Sequence, residues 1–89
     1  MIADIDEKTG RAVAAEIGNS ARFAKLDVRD ESGWQKLLDD TVNHGGPHGL
    51  VNAAGVAHTH DTVADCSREV WDFIMGVNLD GVFLGTKHT

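Results

Sequence analysis

The sequence has one cysteine, one proline and no tyrosine, and it lacks long apolar runs. The lone Cys66 cannot form an internal disulfide, so nothing indicates an oxidising, secreted setting, and a cytoplasmic location is expected. No apolar stretch is long enough to cross a bilayer, and the acidic start has no signal-peptide core. We therefore expect neither a membrane partner nor a leader.

Positive charge is also scarce. Eight Lys and Arg stand against fourteen Asp and Glu, for a net charge of -6, and the basic residues are scattered. Nucleic acid is therefore not an expected partner, because phosphate binding needs concentrated positive charge. The histidines match no recognised ligand spacing, so no metal site is predicted. They are His44, His48, His58, His60 and His88.

Apart from these absences, the composition is that of an ordinary globular protein, with 42% hydrophobic and 25% charged residues in an 89-residue chain. This length suits one small domain or part of a larger one. Capping residues and apolar spacing then predict six elements in order. They are a strand ending at Asp4, a helix over Glu7–Ile17, a strand over 21–28, a helix from Asp30 to about Gly45, a strand over 49–52 and a helix from Ser67 toward His88.

This alternation of strands and helices predicts an α/β fold, in which three parallel strands are joined by crossovers and three helices cover the sheet. Residues 1–89 are expected to form a single, partial domain. So small a sheet would have exposed edges unless further strands paired with it.

Acidic side chains fall at the carboxyl ends of two predicted strands, where parallel sheets bind ligands. Asp4 could accept hydrogen bonds from both hydroxyls of an adenosine ribose and would repel a 2′-phosphate. Asp27 and the Val28 N–H could bind the amino group and a ring nitrogen of adenine. Helix capping is the alternative for both acids, and a solvated loop is a further alternative for Asp4.

Two further features stand out after the third predicted strand. Asn52, Ala53, Ala54 and Gly55 are small, so a ligand could approach the backbone closely, although tight helix–sheet packing is the alternative. Asn78 falls on an otherwise apolar helix stripe, where a buried amide must be hydrogen-bonded. It could bond to the backbone of its own helix, bend the helix or hold a water.

The last predicted helix contains three glycines, Gly76, Gly81 and Gly85. Each lowers helix stability by up to about 1 kcal/mol relative to alanine. Close packing must offset this cost. The packing could occur within the chain or at a subunit interface.

Four short motifs, Ala3-Asp4-Ile5-Asp6, Leu26-Asp27-Val28, Leu50-Val51-Asn52-Ala53-Ala54-Gly55 and Val77-Asn78-Leu79-Asp80-Gly81-Val82-Phe83, occur in order. Together they resemble the short-chain dehydrogenase/reductase family. The resemblance implies part of a Rossmann-type sheet, from the second strand to the fourth helix of a parent enzyme with three α/β/α layers. That parent would move a hydride between NAD(H) and an alcohol or carbonyl substrate.

The resemblance also implies roles for individual residues. Cofactor binding falls on Asp4, Ile5, Asp27, Val28, Asn52, Ala53, Ala54 and Gly55. The acid at Asp4 favours NAD over NADP, and Ala53 stands where the family usually has a second asparagine. Asn78 joins the catalytic apparatus as support for a water-linked proton relay. The parent is expected to be a homo-oligomer, a dimer or a tetramer.

Parts of the family pattern are absent. No Gly-rich phosphate loop precedes Asp4, and without any tyrosine the family's Tyr-x-x-x-Lys proton donor is missing. We therefore expect this chain alone to be inactive. The alternative function is a non-catalytic nucleotide-binding or interaction module. A receiver-like domain is less well matched, because Asn52 stands where it would need an aspartate.

Overall fold

The computed structural model describes residues 1–58 and 62–89. Strand β1, Ile2–Asp4, pairs in parallel with strand β2, Phe23–Lys25, so that Asp4 lies opposite Lys25. The predicted second strand, 21–28, is shortened to three residues because its partner β1 is only three residues long. The parallel pairing itself is as predicted.

Helix α1, Glu7–Ile17, joins the two strands and packs against both. Its predicted bounds are confirmed. The Asp6 carboxylate accepts a hydrogen bond from the Thr9 N–H at 3.1 Å and starts the helix. Gly18 ends it with φ at 86°, a left-handed conformation that glycine adopts without strain.

Helix α2, Glu31–Val42, begins as predicted at Asp30, whose carboxylate accepts a hydrogen bond from the Ser32 N–H at 3.0 Å. Gly45 and Gly46 follow the helix with φ at 111° and 81°. These two positive values turn the chain back toward the sheet.

The predicted third strand over 49–52 is wrong. Among the described residues the sheet has two strands, and residues 49–52 pair with neither. A strand needs a neighbour for its N–H and C=O groups. Leu50 and Val51 instead border the same cavity as Ala3 of β1, and Val51 is 86% exposed. The cavity therefore lies where a strand that paired with residues 49–52 would have to be.

The long last helix is present but is not uniform. Helix α3, Arg68–Met75, begins at its predicted cap Ser67 and runs into a π-helical turn, Gly76–Asp80, and then into helix α4, Gly81–His88. Single π turns inside helices often lie at functional sites. This one contains Asn78.

The core is small and lies where α2 packs against α4. Leu26, Trp34 and Leu84 are buried together, with Val28 and Leu37 packed against them. Large apolar side chains elsewhere are exposed, including Ile5, Trp71, Leu79 and Phe83. In the described ranges no helix is long and apolar enough to cross a membrane.

Candidate functional site

Residues from the carboxyl ends of both strands and from the segment after residue 51 border one cavity of about 710 Å³. All eight residues that the sequence predicted for cofactor binding line it. They are Asp4, Ile5, Asp27, Val28, Asn52, Ala53, Ala54 and Gly55. The three predicted groups therefore lie on one side of the molecule. Their binding of a cofactor stays a prediction.

Asp4 ends β1 and turns the chain into α1. Its Oδ1 accepts a hydrogen bond from the Asp6 N–H at 2.8 Å, so one carboxylate oxygen takes part in a local turn. Asp6 in turn accepts from the Thr9 hydroxyl at 2.6 Å, and this contact lowers the pKa of Asp6 below its ordinary value. The helix cap is thus Asp6, and Asp4 remains exposed at the cavity.

Asp27 is held by its neighbour Arg29. Asp27 Oδ1 accepts hydrogen bonds from Arg29 N and Nε, both at 3.0 Å, while Oδ2 accepts from Nη2 at 2.6 Å. These side-chain and backbone donors lower the pKa of Asp27, and the same pair raises the pKa of Arg29. Helix capping was the alternative for Asp27, but Asp30 caps α2 instead.

Val28 is fixed from two sides. Its carbonyl accepts a hydrogen bond from Nε1 of the buried Trp34 at 2.9 Å. A Cβ placed on Gly81 would lie 2.7 Å from Val28 Cγ2, so only a glycine lets α4 come this close. Within the described residues, the Val28 N–H has no hydrogen-bond partner.

Asn52 faces α4. Its Nδ2 lies 3.5 Å from Thr86 Oγ1, a long hydrogen bond, and a Cβ on Gly85 would lie 2.8 Å from both Asn52 Oδ1 and Trp34. Gly81 and Gly85 therefore pack within the chain. Intrachain packing was one of two predicted explanations for the glycines, and the structure shows it at both positions.

Asn78 was expected to be buried on an apolar stripe. Its side chain is exposed instead, and its hydrogen bonds are not within its own helix. Oδ1 accepts from the Val56 N–H at 2.8 Å, and Nδ2 donates to the Val56 carbonyl at 2.7 Å. Apolar spacing placed Asn78 inward, but the stripe itself is not buried, since Trp71 and Val82 on the same stripe are also exposed.

Sequence reasoning missed three residues of the site: Arg29, Trp34 and Val56. Arg29 lies two positions after Asp27, a spacing at which an acid commonly binds the following backbone and side chain. The buried indole N–H of Trp34 needs an acceptor, and nothing in the local sequence points to the Val28 carbonyl. No local signal links Val56 to Asn78, which lies 22 positions away.

Metal binding has no support in the described ranges, where no group of three or more His, Cys, Asp or Glu side chains could hold an ion. His44 contacts the Asp40 carbonyl, and His88 contacts Glu31. His60 lies outside the described residues.

Comparison with known proteins decides the family. The model of a protein family described as enoyl-(acyl carrier protein) reductase matches residues 1–89. The chain belongs to the short-chain dehydrogenase/reductase family.

Named relatives agree with this assignment. Over 88 residues the chain is 41% identical to a 3-alpha-(or 20-beta)-hydroxysteroid dehydrogenase of Mycobacterium tuberculosis, which covers 98% of this chain and 34% of that protein. Over 86 residues it is 41% identical to an NADP-dependent (R)-specific alcohol dehydrogenase of Lentilactobacillus kefiri. That match covers 96% of this chain and 33% of that protein. The chain thus spans about a third of the length of these short-chain dehydrogenase/reductase relatives.

A solved structure agrees as well. The 3-ketoacyl-(acyl-carrier-protein) reductase of Brucella melitensis, complexed with NADH, superposes with a TM-score of 0.92 at 32% identity, over 97% of this chain and 36% of that one. The expected resemblance and the Rossmann-type α/β fold class are thereby confirmed, with the strand count as the exception.

Proposed function

We propose that this chain forms the adenosine-binding part of an NAD-dependent short-chain dehydrogenase/reductase, an oxidoreductase that transfers a hydride between NAD(H) and an alcohol or carbonyl carbon. One observation carries the proposal: polar groups from three separate segments, ending at Asp4, Val28 and Gly55, border a single cavity. The names of the two relatives, both dehydrogenases, and the NADH in the solved reductase support the reaction class.

The chemistry of the donors fits an adenosine. The Val28 carbonyl accepts from Trp34, whereas the Val28 N–H has no partner among the described residues and can donate to a ring nitrogen of adenine. The ionised Asp27 carboxylate is an acceptor for the adenine amino group. Asp4 can accept from the ribose hydroxyls and repels a 2′-phosphate, so we propose NAD over NADP. When bound, the nicotinamide supplies the hydride chemistry.

The small residues that follow Asn52 complete the site. Ala53, Ala54 and Gly55 carry no side chain beyond a methyl group, so a sugar could approach the backbone there. Asn78 fixes Val56, the next residue along. We propose that Asn78 supports the family's proton relay by placing this loop, since both ends of its amide are committed to Val56.

We propose that sequence outside this chain supplies the rest of the enzyme. The chain has no tyrosine, and the inner wall of the cavity is apolar, formed by Leu26, Leu37 and Leu50. We propose that the chain alone has no turnover, and that additional sequence covers the apolar wall and pairs with β1. Homo-oligomerisation and a cytoplasmic location of the parent also stay predictions.

Tryptophan fluorescence can test the binding proposal on the purified chain. Trp34 borders the cavity and Trp71 does not, so a Trp71→Phe variant reports on the site alone. We expect saturable quenching by NADH at lower concentration than by NADPH. Asp4→Ser should reduce the difference in affinity between NADH and NADPH. The exposed Asp39→Ser on α2 serves as the matched control. Quenching that does not saturate, or equal affinity for both nucleotides before substitution, would contradict the proposal.

Other observations distinguish the proposed enzyme from the alternative function, a non-catalytic nucleotide-binding or interaction module. A dehydrogenase assay on the purified chain should give no NADH oxidation, and activity without any partner would show that the catalytic groups have been misplaced. Genomic sequence on both sides of the chain then decides between the two functions. A Gly-rich loop upstream and Tyr-x-x-x-Lys downstream favour the enzyme, whereas stop and start signals favour the module.

A further inference from the structure

Arg29 connects two parts of the cavity rim that are far apart in sequence. Its guanidinium binds both oxygens of Asp27, and its central carbon lies 5.1 Å from the centroid of the Phe73 ring on α3. Its Cδ also lies 3.2 Å from the Cβ position of Gly76, in the π turn. The Asp27 side chain is therefore held by a residue that itself packs against α3 and the π turn.

This arrangement restricts how Asp27 can be oriented. A lone carboxylate after a strand rotates about its side-chain bonds, but three donors on one residue fix both of its oxygens. An ionised carboxylate has about four acceptor positions. The contacts of Arg29 therefore leave acceptor capacity on Asp27 in a set direction.

We propose that Arg29 is a positioning residue that makes the site selective for adenine among purines, by orienting Asp27 toward the exocyclic amino group. The inference rests on the proposed function, in which Asp27 faces adenine. Arg29 itself does not contact the base. Phe73 holds the guanidinium in place, because a cation above an aromatic ring is attracted to its face.

The prediction concerns base selectivity. AMP carries an amino group that donates to Asp27, whereas IMP carries a carbonyl oxygen at the same position, which the carboxylate repels. A hydrogen bond to a charged group accounts for about a tenfold to hundredfold preference for AMP over IMP. Without Arg29, the Asp27 side chain turns freely, and we expect this preference to fall by about tenfold, leaving the part that comes from the Val28 N–H and the ring nitrogen.

Calorimetric titration of the purified chain with AMP and with IMP measures the two affinities. Arg29→Gln removes the forked contact, and Arg29→Lys keeps the charge without it, so both should lose selectivity. Phe73→Leu should lose part of it. Arg68→Gln is the matched control, since Arg68 forms an exposed ion pair with Asp72 on α3 and does not border the cavity. Circular dichroism establishes that each variant is folded.

A double-mutant cycle separates positioning from a general structural role. If Arg29 acts through Asp27, then Arg29→Gln changes the AMP to IMP ratio in the natural chain but leaves it unchanged in an Asp27→Asn background. An unchanged ratio in folded Arg29→Gln and Arg29→Lys would overturn the inference and leave the proposed function standing. Failure of the natural chain to bind either nucleotide would overturn both.

Discussion

The side chain of Asn78 forms two hydrogen bonds with the main chain of Val56, one through each end of its amide, at 2.8 and 2.7 Å. This pairing joins the π turn of the last helix to the loop that follows Asn52–Gly55. A loop whose N–H and C=O are both satisfied by one side chain is fixed in position and in orientation. The cavity wall formed by this loop thus depends on a residue of the long helix.

Replacing Asn78 should release that loop. Asn78→Leu removes both hydrogen bonds, which contribute about 0.5–1.5 kcal/mol each. We expect faster hydrogen exchange at the Val56 amide and a loss of about 1–2 kcal/mol in the free energy of unfolding. The exposed Asn19→Leu, between α1 and β2, is the control. Unchanged protection of the Val56 amide would show that the pairing does not hold the loop.

Replacing Trp34 should lower the free energy of unfolding more than replacing Trp71. Trp34→Phe keeps an aromatic ring in the core but removes the Nε1–H donor to the Val28 carbonyl. A partly buried carbonyl without its donor and the lost ring volume together should cost about 1–3 kcal/mol. Urea unfolding followed by circular dichroism measures the loss. Trp71→Phe, at a position 52% exposed, should change stability by no more than about 0.5 kcal/mol, and equal effects would refute the argument.

Local sequence signals were sufficient for the helices. Asp6, Asp30 and Ser67 each accept a hydrogen bond from a first-turn N–H, and Gly18 stops α1. Caps are predictable because a cap is a contact between residues two to four positions apart. The eight residues predicted for cofactor binding all border one cavity, although their binding of a cofactor stays a prediction. Asp4 and Asp27 meet there because the carboxyl ends of parallel strands lie at one edge of a sheet.

Features set by distant contacts were not predictable in this way. Residues 49–52 have the composition of a strand but lack a neighbour, so they form none. The inward placement of Asn78 failed because the apolar stripe on which it lies is itself exposed at Trp71 and Val82. The hydrogen bonds between Arg29 and Asp27 are local. The contact between Arg29 and Phe73 spans 44 positions, and no sequence spacing predicts it.

Gly81→Ala should destabilise the chain although alanine is the better helix former. An exposed helix position would gain up to about 1 kcal/mol from this change. Here the new Cβ would lie 2.7 Å from Val28 Cγ2 and 2.9 Å from Val28 Cβ. Overpacking of this kind costs about 1–3 kcal/mol, so we expect a net loss. Urea unfolding of the natural chain and of Gly81→Ala shows whether the free energy of unfolding falls or rises.

Gly76→Ala provides the contrast to Gly81→Ala. Its Cβ would meet the flexible Arg29 side chain at 3.2 Å, which can move aside. We therefore expect a smaller loss than for Gly81→Ala. A gain in stability on replacing Gly81 would mean that α4 is free to shift away from Val28.

Acid should weaken the contact between the start of α2 and the end of α4. Glu31 Oε1 accepts hydrogen bonds from Lys87 Nζ at 2.6 Å and from His88 Nε2 at 2.9 Å. The Lys87 contact, followed by that of His88, holds the pKa of Glu31 below its ordinary value of 4.5. A carboxyl whose pKa is lowered on folding stabilises the folded chain above that ordinary value, and the contribution is lost as the pH falls through the lowered pKa.

The expected result is therefore a part of the acid destabilisation that depends on Glu31. Thermal melting followed by circular dichroism between pH 7 and pH 3 should show a smaller fall in melting temperature for Glu31→Gln than for the natural chain. The control is Glu16→Gln, at an exposed position on α1, which should melt in parallel with the natural chain. Since the ion pair is exposed, salt should also reduce the difference. Identical pH profiles for Glu31→Gln and the natural chain at low salt would mean that these contacts contribute nothing to folding.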